Sequence, residues 1–141
     1  MTVTLSDEAR QVMALFEEET GATVRDCVLD EAFDRVLVLV KAGEMGQAIG
    51  PGGQHVGRVE EELGREVKVV EDAHTAGDFV ASALAPAAVY NVTISENETT
   101  VAYAEVAEED RGVAIGVDGR NIEAARTLAA RHHDVDDIEL T

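Results

Sequence analysis

The chain is poor in positive charge, in aromatic rings and in cysteine. Lysine occurs only at Lys41 and Lys68, and eleven Lys and Arg residues stand against twenty-nine Asp and Glu, a formal charge of −18. Phosphate-rich partners are ordinarily held by positive charge, so this balance taken alone argues against nucleic acid and anionic membranes. Cys27 is the single cysteine, which excludes an intramolecular disulfide framework, and its apolar neighbours Val24, Val28 and Leu29 make it a small core residue. Nowhere do about eighteen apolar residues run uninterrupted, so no transmembrane helix and no membrane partner are expected. Residues 1–8 carry no basic region and no long apolar run. A standard secretory signal is therefore not expected, and the expected location is the cytoplasm.

The 141 residues, 45% of them apolar, suffice for one ordinary domain or two very small ones with a modest core. The acids are spread along the chain, at 17–19, 60–62 and 108–110 among other places, instead of forming one tail. That distribution reads as solvation of the whole surface. With few lysines, few aromatics and many Ala, Val and acids, the composition resembles that of proteins from salt-loving organisms. At about 1 M salt the Debye length is roughly 3 Å, so self-repulsion is largely screened.

An internal repeat organises the sequence. Ala48-Ile49-Gly50-Pro51-Gly52-Gly53-Gln54-His55-Val56 and Ala114-Ile115-Gly116-Val117-Asp118-Gly119-Arg120-Asn121-Ile122 share the pattern Ala-Ile-Gly-x-x-Gly-x-x-(Val/Ile), with Gly50 and Gly116 66 residues apart. The same offset matches Val40 with Val106, Glu44 with Asp110 and Gly46 with Gly112. Agreement so far outside the glycines marks a duplicated unit.

Periodicity assigns the elements of each copy. Leu5, Ala9, Val12 and Phe16 share one helical face, with Ser6 as N-cap and Gly21 as stop. Strands are predicted at 23–29 and 35–40 around a turn at 30–34, a short helix at 44–49, a helix carrying Val56, Val59 and Leu63, and a strand at 66–70. The second copy repeats the order: a helix at 75–84 before Pro86, strands near 88–95 and 99–106, helices at 108–115 and 119–131, and a strand at 136–140, slipped relative to the first copy. The expected class is α+β, as two tandem α-β-β-α-α-β domains over 1–72 and 73–141, joined through 71–74.

A helix–Gly-x-x-Gly–helix turn has a physical use. Its glycines permit backbone angles closed to other residues and let another backbone approach. The unpaired N–H groups and positive dipole end of the following helix face whatever occupies the turn, which makes an anion site. Two copies with these flanks resemble the K homology (KH) family, whose loop clamps about four nucleotides of single-stranded RNA. The 22 residues after Gly119 hold one helix and one strand, which leaves room only for the prokaryotic (type II) arrangement. Two such domains and nothing else resemble the archaeal NusA-type transcription factors, a likeness that covers nearly the whole chain. It implies a non-catalytic factor that binds nascent single-stranded RNA and acts in termination or antitermination, with RNA polymerase as a further candidate partner. The contacts it implies are Ile49, Gly50, Pro51, Gly52, Gly53 and Arg58 in the first copy and Ile115, Gly116, Val117, Asp118, Gly119 and Arg120 in the second.

Neither loop carries the basic residue common between KH glycines: the first has Pro51 and Gly52, and the second places the Asp118 carboxylate where phosphate should pass, with Arg120 and Arg126 nearby as opposing charge. This departure supports an alternative, a protein-interaction module that contacts RNA polymerase or a ribosomal component with RNA incidental. Other sites are not expected. Gly50–Gly53 lacks the Gly-Lys-(Ser/Thr) ending of a nucleotide P-loop, His132 and His133 lack an i,i+4 partner for a metal, and no cofactor or acid–base pair is indicated. Lys41, Arg58 and Arg65 are phosphate contacts or surface ion pairs, and His55 is a stacking residue or a plain surface histidine.

Overall fold

The computed structural model describes residues 5–141. The first four residues, at which the expected first domain and the segment considered as a leader begin, lie outside the described residues. The chain divides into two compact units, one reaching to Asp72 and the other starting at Ala73.

The first unit runs α1 (Asp7–Thr20), β1 (Val24–Asp30), β2 (Arg35–Val40), α2 (Met45–Ile49), α3 (Gln54–Leu63) and β3 (Glu66–Glu71); the second runs α4 (Ala76–Ala83), β4 (Val89–Glu96), β5 (Thr100–Val106), α5 (Arg111–Ile115), α6 (Arg120–His132) and β6 (Asp137–Leu140). In each unit the first two strands pair antiparallel and the third joins the second in parallel, giving the sheet orders β1-β2-β3 and β4-β5-β6. The α+β order read from the repeat is the order found in both halves.

Local chemistry sets the boundaries. The Ser6 hydroxyl accepts the Ala9 N–H at 3.1 Å, and Gly21 ends α1 in the left-handed conformation, φ 75°, with its N–H on the Glu17 carbonyl. The buried side of α1, Ala9, Val12 and Phe16, packs into one core with Cys27, Val36, Val38, Ala48, Val59 and Val67. Cys27 is thus a core residue. Burial of a side chain such as Phe16 contributes about 2–3 kcal/mol. At the hairpin turn, Arg35 is buried, donates from Nε to Asp30 at 2.7 Å and lies 4.8 Å from the Phe33 ring centroid.

The strands at the centre of the two sheets differ. Every residue of β2 is buried, whereas β5 alternates, with Ala102, Ala104 and Val106 buried and Tyr103 and Glu105 exposed. Among the buried side chains of the second unit are Phe79, Leu84, Leu128 and Ile138, and the Phe79 ring stacks on His133 at 4.6 Å between centroids. His133 therefore closes the end of α6 as an aromatic cap.

One boundary departs from expectation, and one expected slip finds its cause. Residues 108–115 do not form one helix: Glu108–Asp110 is a single tight turn, and α5 begins at Arg111. The cause is Asp110, whose carboxylate accepts the Ala88 N–H at 2.8 Å while its backbone sits at φ −102°, ψ 0°, outside helical geometry. Its repeat partner Glu44 behaves alike, at φ −110°, ψ 10°, with Oε1 on the Thr23 N–H at 2.6 Å. Each acid ties the entry of the short helix to the start of the first strand. The slip of the last strand is also explained: α6 has 13 residues against 10 in α3, so Val36 pairs with Val67 while Ala102 pairs with Ile138.

Candidate nucleic-acid interface

The two glycine loops are built on one backbone. Gly50 sits at φ 75°, ψ 170° and Gly116 at φ 79°, ψ 169°. Gly53 and Gly119 are both left-handed, at φ 77° and 83°. The third loop position is left-handed too, at φ 59°, ψ 21° in Gly52 and φ 56°, ψ 22° in Asp118. Matching bonds close them: Gly50 N–H donates to Gly46 O at 2.8 Å and Gly53 N–H to Gly50 O at 3.1 Å, while Gly116 donates to Gly112 at 2.9 Å and Gly119 to Gly116 at 3.1 Å. Gly46 and Gly112, matched in the repeat, thus receive equivalent bonds.

The first glycine of each loop is also a close-approach position. A Cβ on Gly50 would lie 2.5 Å from Cγ of His55, and one on Gly116 would lie 2.8 Å from the backbone nitrogen of Asn121. His55 and Asn121 are repeat partners. His55 Nδ1 donates to the Gln47 carbonyl at 2.7 Å, and Asn121 Nδ2 reaches the Val113 carbonyl at 3.4 Å and the Ala114 carbonyl at 3.2 Å. Both residues fasten the second helix of the motif to the first, and the His55 ring is engaged in that bond.

Neither α3 nor α6 has a side-chain bond at its N-cap, so the helix-end N–H groups receive no side-chain cap from Gly53 or Gly119. The first N–H of each helix, on Gln54 and on Arg120, donates to the Pro51 or Val117 carbonyl, so the attraction for an anion rests on the N–H groups that follow and on the positive dipole end. The first copy has no acid in the first turn of α3, and Pro51, Gly52 and the nearby Arg58 are exposed. The second copy has Asp118 in the loop and Glu123 in the first turn of α6. Ile49 is half-buried, Ile115 is 39% exposed and Val117 is 71% exposed. The stem of Arg120 runs beside Gly116. A groove of about 450 Å³ borders the second loop, with Arg111, Ile115, Asp118, Ile122, Glu139 and Leu140 in its lining.

Some basic residues near the motif are spoken for. Arg126 lies in the same groove, but its Nη1 contacts Glu123 at 2.5 Å, its Nε lies 2.9 Å from Asp137 Oδ1 and its Nη2 donates to the Ile138 carbonyl at 2.9 Å. It fixes β6 to α6. At the matching position of the first unit Glu60 does the same job with the opposite charge, accepting the Val67 N–H at 2.9 Å. Arg65 pairs loosely with Glu8 at 3.6 Å, and Lys41 is exposed. The pinning acids Glu44 and Asp110 are not legible in the sequence because their partners lie 21 and 22 residues away.

A three-stranded sheet carrying a helix–Gly-x-x-Gly–helix turn, present twice in sequence, defines a tandem KH-domain protein. The KH domain model matches residues 12–99, and the model of the NusA-like second KH domain matches residues 76–141. The chain is 67% identical to "Probable transcription termination protein NusA" of Halobacterium salinarum over the full length of both, and 61% identical to the protein of that name from Halococcus morrhuae over 99% of each. The crystal structure of APE1850 superposes with a TM-score of 0.85 at 29% identity, over 97% of this chain and all of that one. The chain belongs to the NusA family of KH-domain proteins. The salt-loving character read from its composition agrees with relatives in Halobacterium and Halococcus.

Proposed function

We propose that the chain is a non-catalytic, cytoplasmic transcription factor of the NusA type, which binds nascent single-stranded RNA through its two glycine loops and acts in termination or antitermination. The observation that carries this reading is the shared loop backbone, which aims two helix ends without side-chain caps at solvent. Phosphate rests on the N–H groups at the start of α3 and α6, and bases lie in the adjoining grooves. The first loop, free of acids, is the stronger site. The two KH domains are taken as 1–72 and 73–141, and RNA polymerase is a further partner. Among the described residues no helix is long and apolar enough to cross a membrane.

One observation favours a second reading, a protein-interaction module: the second loop pairs the exposed Val117 with the Asp118 carboxylate, a poor seat for phosphate. Fluorescence anisotropy with short single-stranded RNAs across a KCl series separates the two. Ordinary RNA binders lose affinity with a log–log slope of about −0.7 per contacted phosphate. Here the grip is backbone N–H and added salt screens the net repulsion, so the expected dependence is shallow or inverted up to molar KCl. A steep loss that begins at low salt contradicts the salt-adapted backbone grip, and no binding in any condition rejects the RNA reading.

A further inference from the structure

The five aromatic residues are divided unevenly. Phe16 and Phe79 are fully buried and Phe33 lies against Arg35, while both tyrosines are exposed, Tyr90 at 68% and Tyr103 at 36%. Both belong to the second sheet. On β5 the buried residues alternate with Tyr103 and Glu105, so these two share the open face, and Tyr103 pairs there with Thr93 and Glu139 of the neighbouring strands. Glu105 also lines a cavity of about 560 Å³ with Tyr90, Glu108 and Arg111. At the positions that match Tyr103 and Glu105, the first unit has Leu37 and Leu39, both buried. One face of the duplicated sheet is thus aliphatic and covered in the first copy and aromatic, acidic and open in the second.

We propose that this open face docks an arginine-bearing segment of a partner protein, with a guanidinium entering the cavity between Tyr90, Glu105 and Glu108. A tyrosine ring face attracts a cation, and carboxylates beside it supply charge-assisted acceptors in a geometry that suits arginine. Arg111, the cation in the cavity lining, donates to the Thr141 carbonyl at 3.3 Å and leaves the two glutamates for an incoming charge. A nucleic acid could stack bases on the tyrosines, but its phosphates would meet Glu105, Glu108 and Glu139. Charge complementarity selects the basic protein segment. In concentrated salt the ring contributes an attraction that does not rest on net charge alone.

The chain has no tryptophan, and Tyr90 and Tyr103 are its only tyrosines, so intrinsic fluorescence of the full chain reports this face directly. The probe is an acetylated, amidated Gly-Arg-Gly-Arg-Gly peptide in about 1 M KCl, compared with its citrulline counterpart, which has the same shape without charge. The arginine peptide is expected to change the tyrosine emission saturably and the citrulline peptide to leave it unchanged. Tyr90→Ser and Glu108→Gln, both exposed positions, are each expected to weaken binding by about threefold or more, with circular dichroism unchanged; Glu105→Gln provides the same test should either variant fail to fold. The response should survive Gly52→Asp, which keeps it separate from the RNA reading. No saturable response, an equal response to citrulline, or a response that persists in the tyrosine and glutamate variants overturns the proposal. So does a saturable response to oligouridylate that is lost in Tyr90→Ser, which would make the face a nucleic-acid surface.

Discussion

Gly52 and Asp118 occupy one left-handed corner, three degrees apart in φ and one in ψ. Glycine takes that corner freely, and aspartate is one of the few residues with a side chain that tolerates it. The corner therefore restricts which substitutions can probe the carboxylate. Asp118→Lys removes the acid but adds roughly 1 kcal/mol of backbone strain, whereas Asp118→Asn removes the charge and keeps the corner. Asp118→Asn is expected to raise affinity for single-stranded RNA by about 1 kcal/mol, near fivefold, without a change in melting temperature. Gly52→Asp should lower it by a similar factor. If anisotropy shows neither change, the glycine loops do not hold the phosphate.

The first glycines should respond unequally to rescue. Gly50→Ala and Gly116→Ala are each expected to cost about 2–4 kcal/mol, from positive φ plus a close contact. At Gly50 the obstacle is a side chain, the His55 ring, so adding His55→Ala should restore part of the stability. At Gly116 it is the backbone nitrogen of Asn121, so Asn121→Ala should restore nothing. Urea denaturation of the single and double variants measures the difference. Equal rescue at both sites would contradict the assigned contacts.

Much of this architecture was legible in the sequence, because the repeat supplied each half with a second copy to read against. The αββααβ order, the glycine loops, the buried run of β2 and the core role of Cys27 all follow from patterns a few residues long. Long-range side-chain work was not legible. The dispersed acids read as a solvation shell, yet Glu17, Glu44, Glu60, Glu71, Asp110 and Asp136 each accept a backbone N–H, several across many residues of chain. Arg126 read as charge available near the second loop, and it is committed to β6. No local spacing encodes such pairings, since the partner is brought near only by the fold.

Two glutamates should titrate with opposite effects on stability. The Thr23 N–H holds the Glu44 carboxyl below the ordinary glutamate value, so its contribution is complete above that value and is lost as pH falls through the lowered one. Glu62 is pushed up, first by a shared hydrogen bond with Glu19, then by the Glu19 charge, by partial loss of solvent and last by the Glu18 charge. Its penalty is present at neutral pH and disappears as pH falls through the raised value. Glu44→Gln should thus destabilise at pH 7 and converge with the parent in acid, while Glu62→Gln should stabilise at pH 7, less so in molar KCl. Thermal melts over a pH series at two salt concentrations give both comparisons.

Arg126 should matter to the fold and not directly to RNA. Arg126→Ala removes the bond to the Ile138 carbonyl and the contact with Asp137, and is expected to cost about 1–2 kcal/mol. Hydrogen exchange should show the loss first at the β6 amides. Under conditions where the variant remains folded, RNA affinity should stay within about twofold of the parent. A large affinity loss with unchanged β6 protection would make Arg126 an RNA contact after all.

The acids at the strand starts also bear on any attempt to adapt the protein to dilute buffers. Charge reduction usually treats a surface carboxylate as an exchangeable part, chosen for convenience. Here the parts are of two kinds. Glu18, Glu19 and Glu62 crowd one another where α1 meets α3, and replacing one of them relieves strain without removing an anchor. Glu44 and Asp110 are mooring points that accept the main-chain N–H groups of Thr23 and Ala88, and lysine there would cut the rope. A variant engineered for low ionic strength should therefore be built from the crowded acids outward, with the two moorings left as they are.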